Sequence, residues 1–314
     1  MKIAEITGEI LSVKKAYILT HTNPDLDALG SSFAMCEFLK EQGVDAIVVL
    51  EQPLHKKYDF LEAEYILPEE ASEKRAVVVL DCADENRLKH TDEIFKNADN
   101  TIVIDHHITN EGFGKNYLVM GNMSSAGEIV YNIIKESKIP LNKRIAFFLY
   151  ASIMADTGGL RYSCTSPETL RAVADIMEQG IDIAYINRMI FENNPPEKLA
   201  LQQEVLSTLK YACDKKVAIV RLTPDMLQKT GASEELADAF VNIPRSIEGV
   251  EVGVFLKERT DEIKISLRSN SYVDVSEIAF IMGGGGHKRA SGFSFIGTLD
   301  EAEEAVIEKI SAIL

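Results

Sequence analysis

Four short apolar runs set the strongest limit on what this chain can fold into. Ala16–Thr20 (AYILT), Ala46–Leu50 (AIVVL), Ala76–Leu80 (AVVVL) and Thr101–Ile104 (TIVI) are rich in β-branched residues and show almost no two-residue alternation. Strands of that kind are buried on both faces, as in a parallel sheet covered by helices. Helical patterns surround them: Leu29–Gln42, then about Ala126–Ser137, Lys143–Ala155, Pro167–Glu178 and Ile183–Phe191. Residues 1–191 are therefore expected to form an α/β domain, a mostly parallel sheet with helices on both faces.

The pattern breaks at ENNPPEK (192–198), where two prolines and two asparagines interrupt it. A helical segment near Leu199–Tyr211 follows, so 192–213 reads as a linker containing a helix. From Lys216 a different order begins: strand KVAIVRL, helix Glu234–Val241, strands VEVGVFLKE and EIKISLRS, and a short helix Val275–Met282. GGGG, a strand and a final helix Asp300–Ile313 complete it. This predicts a smaller mixed α/β domain over 214–314, set across a cleft from the first. A length of 314 residues suits two cores better than one.

Charge narrows the function. The formal net charge is −16, and a protein that tracks long nucleic acid shows a basic face. A short anionic substrate held by a few arginines and bound cations stays compatible with that balance. No apolar run approaches the length of a membrane span, and the first residues, MKIAEITGEILSVKKAY, lack the unbroken apolar core of a signal peptide. The cysteines Cys36, Cys82, Cys164 and Cys213 form no CxxC pair. They are expected to be reduced thiols in a cytoplasmic protein.

Where the acids and histidines fall is more specific. His21, Asp25 and Asp27 (in HTNPDLDALGSS) follow the first run, Asp81 (in DCAD) follows Ala76–Leu80, and Asp105-His106-His107 follows Thr101–Ile104. Asp156 closes a fourth apolar stretch, FFLYASIMA, that reads as helix or strand. Each residue has an ordinary explanation when taken alone. Asp27 could cap the helix that follows it, Asp81 could sit in a strand-end turn, and His106 could bond a backbone carbonyl. Their coincidence argues otherwise, because ligands in open α/β sheets gather at the carboxyl ends of strands. Two or three histidines and four or five aspartates exceed the needs of one cation. They suit two divalent cations sharing a carboxylate, an arrangement used to hydrolyse phosphate esters. His55 and His90 lie in charged segments and are assigned no role.

Together these blocks resemble the DHH phosphoesterase superfamily, and GGGGHKRASG (283–292) is similar to the signature of its associated C-terminal domain. SSAGEIVYNII, DTGGLRYSCTSPETL and VNIPRSIEGVEVGVFLKE look like the group of bifunctional oligoribonucleases and 3′-phosphoadenosine 5′-phosphate (pAp) phosphatases. The resemblance implies that His21 and Asp25 hold one manganese ion, that Asp27, His106 and Asp156 hold a second, and that Asp81 bridges both. It implies that His107 faces the substrate phosphate and protonates the leaving oxygen while Asp105 orients an imidazole. Arg268 and the run Gly284, Gly285, Gly286 and His287 would bind substrate. Glycine lets a backbone approach a phosphate closely, and an arginine fork fits it in two places. The implied reaction is attack of water in line on short RNA, giving 5′-mononucleotides, or on pAp, giving AMP.

Other readings fit the same blocks. Relatives with both domains hydrolyse cyclic dinucleotides or their linear products. A processive DNA exonuclease would need a further nucleic-acid-binding domain, and an inorganic pyrophosphatase would lack GGGGH. A non-catalytic nucleotide-binding regulator would show decayed ligands, and none is decayed here. A homodimer stays compatible with the sequence.

Overall fold

The apolar runs become neighbouring parallel strands. In the computed structural model, which describes residues 1–314, these are β1 (Lys15–Leu19), β2 (Asp45–Val49), β4 (Ala76–Leu80) and β5 (Thr101–Asp105). Two edge strands that the runs did not announce, β3 (Tyr65–Ile66) and β6 (Asn116–Val119), complete an all-parallel sheet in the order β3-β2-β1-β4-β5-β6. Side chains alternate between two cores. Ala16, Ile18, Val78, Leu80, Ile102 and Ile104 face one core; Tyr17, Leu19, Val77, Val79 and Val103 face the other. Apolar residues on both sides explain why the sequence of each strand shows no alternation.

The first core is covered by long helices: α1 (Ile3–Ser12), α2 (Leu26–Glu41), and, beyond a five-residue α3 (Asp92–Lys96), α4 (Ala126–Ser137) and α5 (Lys143–Asp156). The second core is closed more thinly, by the 3-10 segment 85–91 through Leu88, by α3 through Phe95, and by Phe113. Helix α1 had no forecast; it buries Ile6 and Ile10 one turn apart against the first core. The chain then continues through α6 (Pro167–Met177), α7 (Ile183–Asn187) and a turn of π-helix at 188–192.

The chain divides into two compact units, Met1–Asn193 and Asn194–Leu314. Helix α8 (Pro196–Leu206), forecast as part of a linker, is built into the second unit. Its Leu201 and Val205 are fully buried among Val220, Leu222, Phe240 and Phe255. The second sheet contains β7 (Lys210–Ala212) and β8 (Val217–Leu222). After α9 (Pro224–Thr230) and α10 (Asn242–Arg245) come β9 (Val252–Glu258) and β10 (Ile263–Ser269). Then follow α11 (Val275–Ile281), β11 (Gly285–His287), β12 (Ala290–Phe295) and α12 (Leu299–Ser311). Its order is β11-β12-β10-β9-β8-β7, antiparallel except between β8 and β9. Residues 234–241, expected as helix, wind as 3-10 helix with the bounds expected. No helix is long and apolar enough to cross a membrane.

Candidate metal centre

Strand order gathers the charged residues. β1 lies between β2 and β4, so the direction of strand succession reverses at the β1–β4 pair. The crevice at such a reversal, beyond the carboxyl ends of the strands, is where open α/β sheets bind ligands. His21 follows β1 there, Asp81 follows β4, and Asp105 ends the adjacent β5. Asp156, left between helix and strand by its sequence, is the last residue of α5.

Each side chain is held by its local structure. Asp25, not Asp27, caps α2: its Oδ1 accepts the amides of Asp27 at 3.0 Å and Ala28 at 3.1 Å. The helix therefore starts three residues earlier than forecast, and Asp27 falls in its first turn, fully buried. Asp27 accepts the amides of Ala126 at 2.8 Å and Gly127 at 3.1 Å from the amino end of α4, and the Ser152 hydroxyl from α5. Gly127 has to be glycine, since a Cβ there would stand 1.9 Å from Ser152 Oγ. Asp81 occupies the left-handed region at φ 54°, which aspartate tolerates better than most residues. It is a turn residue and a member of the cluster at once. The Nδ1 of His21 lies 2.7 Å from the Thr22 carbonyl and 2.9 Å from an Arg87 nitrogen. With Nδ1–H on the carbonyl, the Nε2 lone pair faces the acids, 3.8 Å from Asp81 Oδ2.

His106 sits among three carboxylates. Its Nε2 is 3.6 Å from Asp27, 3.4 Å from Asp81 and 3.3 Å from Asp156. Burial works to lower the pKa of this imidazole, but Asp81, Asp27 and Asp156 outweigh it and push it up to about 10. The acids move up as well. Burial, then repulsion from Asp27, raises Asp156 to about 8 and Asp81 well above its usual range. Burial also raises Asp27. Burial chiefly, with Arg87 adding to it, lowers His21. Asp81 Oδ1 is buried and makes no well-formed hydrogen bond, its nearest donors being His106 Nε2 at 3.4 Å and His107 Nδ1 at 3.5 Å. Such a cage is short of positive charge, and its carboxylate and imidazole donors suit manganese, magnesium or zinc.

Three groups bring their ligand atoms within 4.8 Å of one another: His21, Asp25 and Asp81; Asp27, His106 and Asp156; and Asp81, His106 and His107. Asp81 belongs to the first and the third. In the third group, His107 Nδ1 is already engaged, 2.8 Å from Asp105 Oδ1. Asp105 itself is fully buried. Burial would raise its pKa, but hydrogen bonds from His107 and Asn110 hold it below the usual range. Ser152, Asn110, Arg87 and the amides of Ala126 and Gly127 were not found from sequence, although the last two lie in the quoted block SSAGE.

The remaining nominated residues lie in the second unit. Across its sheet, Arg268 on β10 pairs with Ala290 on β12, which pairs with His287 on β11. Directly paired residues project to the same face, so Arg268 and His287 share one row and one face. The glycine run is partly strand: Gly285 and Gly286 belong to β11, an edge strand. A Cβ on Gly284 would lie 2.2 Å from the Gly292 carbonyl oxygen, and one on Gly286 would lie 2.5 Å from Ser291 Cα. Close packing on β12 therefore already demands glycine at both, while Gly285 is open. Lys288 and Arg289 form the hairpin turn, and Arg289 donates to the Val273 carbonyl at 2.8 Å.

Comparison with known proteins agrees with this architecture. The model of the DHH family N-terminal domain matches residues 15–153, and that of the DHHA1 domain matches 214–314. The chain is 34% identical over 311 residues to the bifunctional oligoribonuclease and PAP phosphatase NrnA of Thermus thermophilus, covering 97% of this chain and 92% of that one. It is 29% identical over 289 residues to a probable enzyme of the same name from Streptococcus mutans, covering 90% and 91%. The crystal structure of an exopolyphosphatase-related protein from Bacteroides fragilis superposes with a TM-score of 0.90 at 28% identity, covering 99% and 97%. The chain belongs to the DHH phosphoesterase family, with a DHH domain followed by a DHHA1 domain.

Proposed function

We propose that this enzyme uses two divalent cations, manganese in the first instance, to hydrolyse short oligoribonucleotides to 5′-mononucleotides and pAp to AMP. The observation that carries the reading is Asp81, a buried carboxylate whose Oδ1 makes no well-formed hydrogen bond and which groups with His21 and Asp25 on one side and with His106 and His107 on the other. His21 and Asp25 would hold one cation, Asp27, His106 and Asp156 the other, and Asp81 both. When bound, the cations would lower the pKa of a water molecule and offset charge on the phosphate. The protein's own groups do the rest. The amides at the start of α4 and the Ser152 hydroxyl fix Asp27. Asp105 takes the Nδ1 of His107, which leaves Nε2 as the nitrogen that gives a proton to the departing ribose oxygen. Arg268, His287 and the backbone of Gly284–Gly286 take a substrate phosphate. The names of the two relatives support both activities, and a net charge of −16 supports a short substrate over a long one. Four unpaired cysteines are in keeping with action in the cytoplasm.

The test compares initial rates, with manganese, on pAp, a dinucleotide, a five-nucleotide RNA and cyclic di-AMP. The reading expects mononucleotide from the RNAs and AMP from pAp. Turnover confined to cyclic di-AMP would overturn it.

A further inference from the structure

Asn110 lies outside the ligand groups, yet every polar atom of its amide is used. It is 7% exposed. The nitrogen donates to Asp105 Oδ2 at 2.8 Å and to the Cys82 carbonyl at 3.0 Å, while the oxygen accepts the Gly112 amide at 2.7 Å. Two acceptors on one side and a donor on the other settle which way the amide points. The two acceptors belong to different strand ends. Cys82 is the residue after Asp81, beyond β4, and Asp105 closes β5. One side chain thus ties both loops of the centre together.

The consequence falls on His107. Its Nδ1 has two acidic neighbours, Asp105 Oδ1 at 2.8 Å and Asp81 Oδ1 at 3.5 Å. Held by Asp105, the ring presents Nε2 away from that bond. Released from Asp105, its Nδ1 is placed to join the ligand group of Asp81 and His106. The second oxygen of Asp105 is held in turn by Asn110, at 2.8 Å.

We propose that Asn110 is a positioning residue: by fixing Asp105 it keeps His107 out of the metal ligand set and directs its Nε2 to the leaving group. The step concerned is cleavage of the ester P–O bond. A water oxygen forms the new bond to phosphorus as the ester bond breaks. The electron pair of the ester bond passes to the leaving oxygen, which takes the Nε2 proton of the doubly protonated His107 ring, and Nδ1–H stays on Asp105. The inference rests on the proton-donor role given to His107 under the proposed function.

Three variants test it: Asn110→Asp, Asn110→Ser and His107→Ala. Asn110→Asp keeps the size but sets a carboxylate against Asp105 and the Cys82 carbonyl. Asn110→Ser retains one donor and answers the question should Asn110→Asp fail to fold. Each is assayed on a dinucleotide, whose ribose alkoxide leaves poorly, and on bis-p-nitrophenyl phosphate, whose leaving group needs no proton. Removing a supporting partner of this kind is worth about 10- to 100-fold. That loss is expected in kcat on the dinucleotide, with KM little changed and the aryl ester nearly spared. In metal-free protein labelled with 15N-histidine, the Nδ1–H signature of His107 should be present in wild type and lost in Asn110→Asp. Equal losses on both substrates, or an unchanged His107 signature, would reduce Asn110 to a loop brace and overturn the inference. His107→Ala separates the two claims. If it too slows both substrates equally, the role given to His107 falls. If it alone discriminates by leaving group, only the inference about Asn110 falls.

Discussion

Asp81→Asn should make the metal-free protein more stable and the metal-loaded protein less stable, so that the two proteins exchange rank when metal is added. Asp81 is 2% exposed, and its Oδ1 makes no well-formed hydrogen bond. Asp81, Asp27 and Asp156 together share a single imidazolium, His106, whose Nε2 stands 3.4 Å from that Oδ1. At pH 8 the unfolded chain ionises this carboxyl freely, whereas the folded chain must either bury the charge or retain a proton. Both cost stability. Leaving a buried polar group unsatisfied costs about 1–3 kcal/mol, more when charged. In a unit of this size each kcal/mol moves Tm by about 2–4 °C, so a rise of roughly 2–12 °C is expected. Asparagine is the substitution of choice because it tolerates the left-handed backbone at φ 54° that alanine would strain. In manganese at 100 times the Kd of each site, wild type gains about 2.7 kcal/mol per ion, and so about 5.4 for two, most of which the variant forgoes. Thermal melts of both proteins at pH 8, in EDTA and in manganese, make the comparison. A variant that melts below wild type in EDTA would show that Asp81 stabilises the empty fold and that the cage does not await a cation.

Without metal, Tm should fall as pH rises from about 5 to 9. Asp156, raised to about 8, keeps in the folded state a proton that the unfolded chain releases near 3.8, so stability declines through that window. His106, raised to about 10, adds the same sign from about 6.5 upward. A metal-free Tm that climbs over this range would contradict the electrostatics described here. Gly127→Ala should cost about 1–3 kcal/mol by overpacking, because its Cβ meets Ser152 Oγ at 1.9 Å. It should also weaken manganese binding by disturbing Asp27, and calorimetric titration showing unchanged affinity would refute that link. Arg268→Ala should lower kcat/KM on dinucleotides and pAp by about tenfold to a hundredfold, the value of one charge-assisted contact. Metal content and turnover of a small aryl ester should stay near wild type, and a loss of metal would make this arginine structural.

Much of this arrangement was legible because burial and ligation leave marks on residue type. Ala76–Leu80 and Ala126–Ser137 appear with the bounds their patterns suggested, since a strand apolar on both faces and a helix apolar on one are hard to disguise. Strands β3 and β6 were invisible for the opposite reason. One has two residues, and the other has an exposed Tyr117 at the sheet edge. Aspartates and histidines after strands announced the centre, but their neighbours could not. The amides of Ala126 and Gly127 act through backbone, which any residue has. Ser152 and Asn110 are ordinary residues until folding sets them against Asp27 and Asp105. The capping that Asp27 could have supplied falls to Asp25, because the two lie only two residues apart at the start of one helix and only the backbone geometry separates them.

A titration of metal-stripped protein with manganese, followed by release of AMP from pAp, tests the central claim most directly. Two ions per chain, counted by elemental analysis, with turnover negligible until the second site fills, is the predicted result. Full turnover with one ion per chain, or undiminished turnover in excess EDTA, would contradict it.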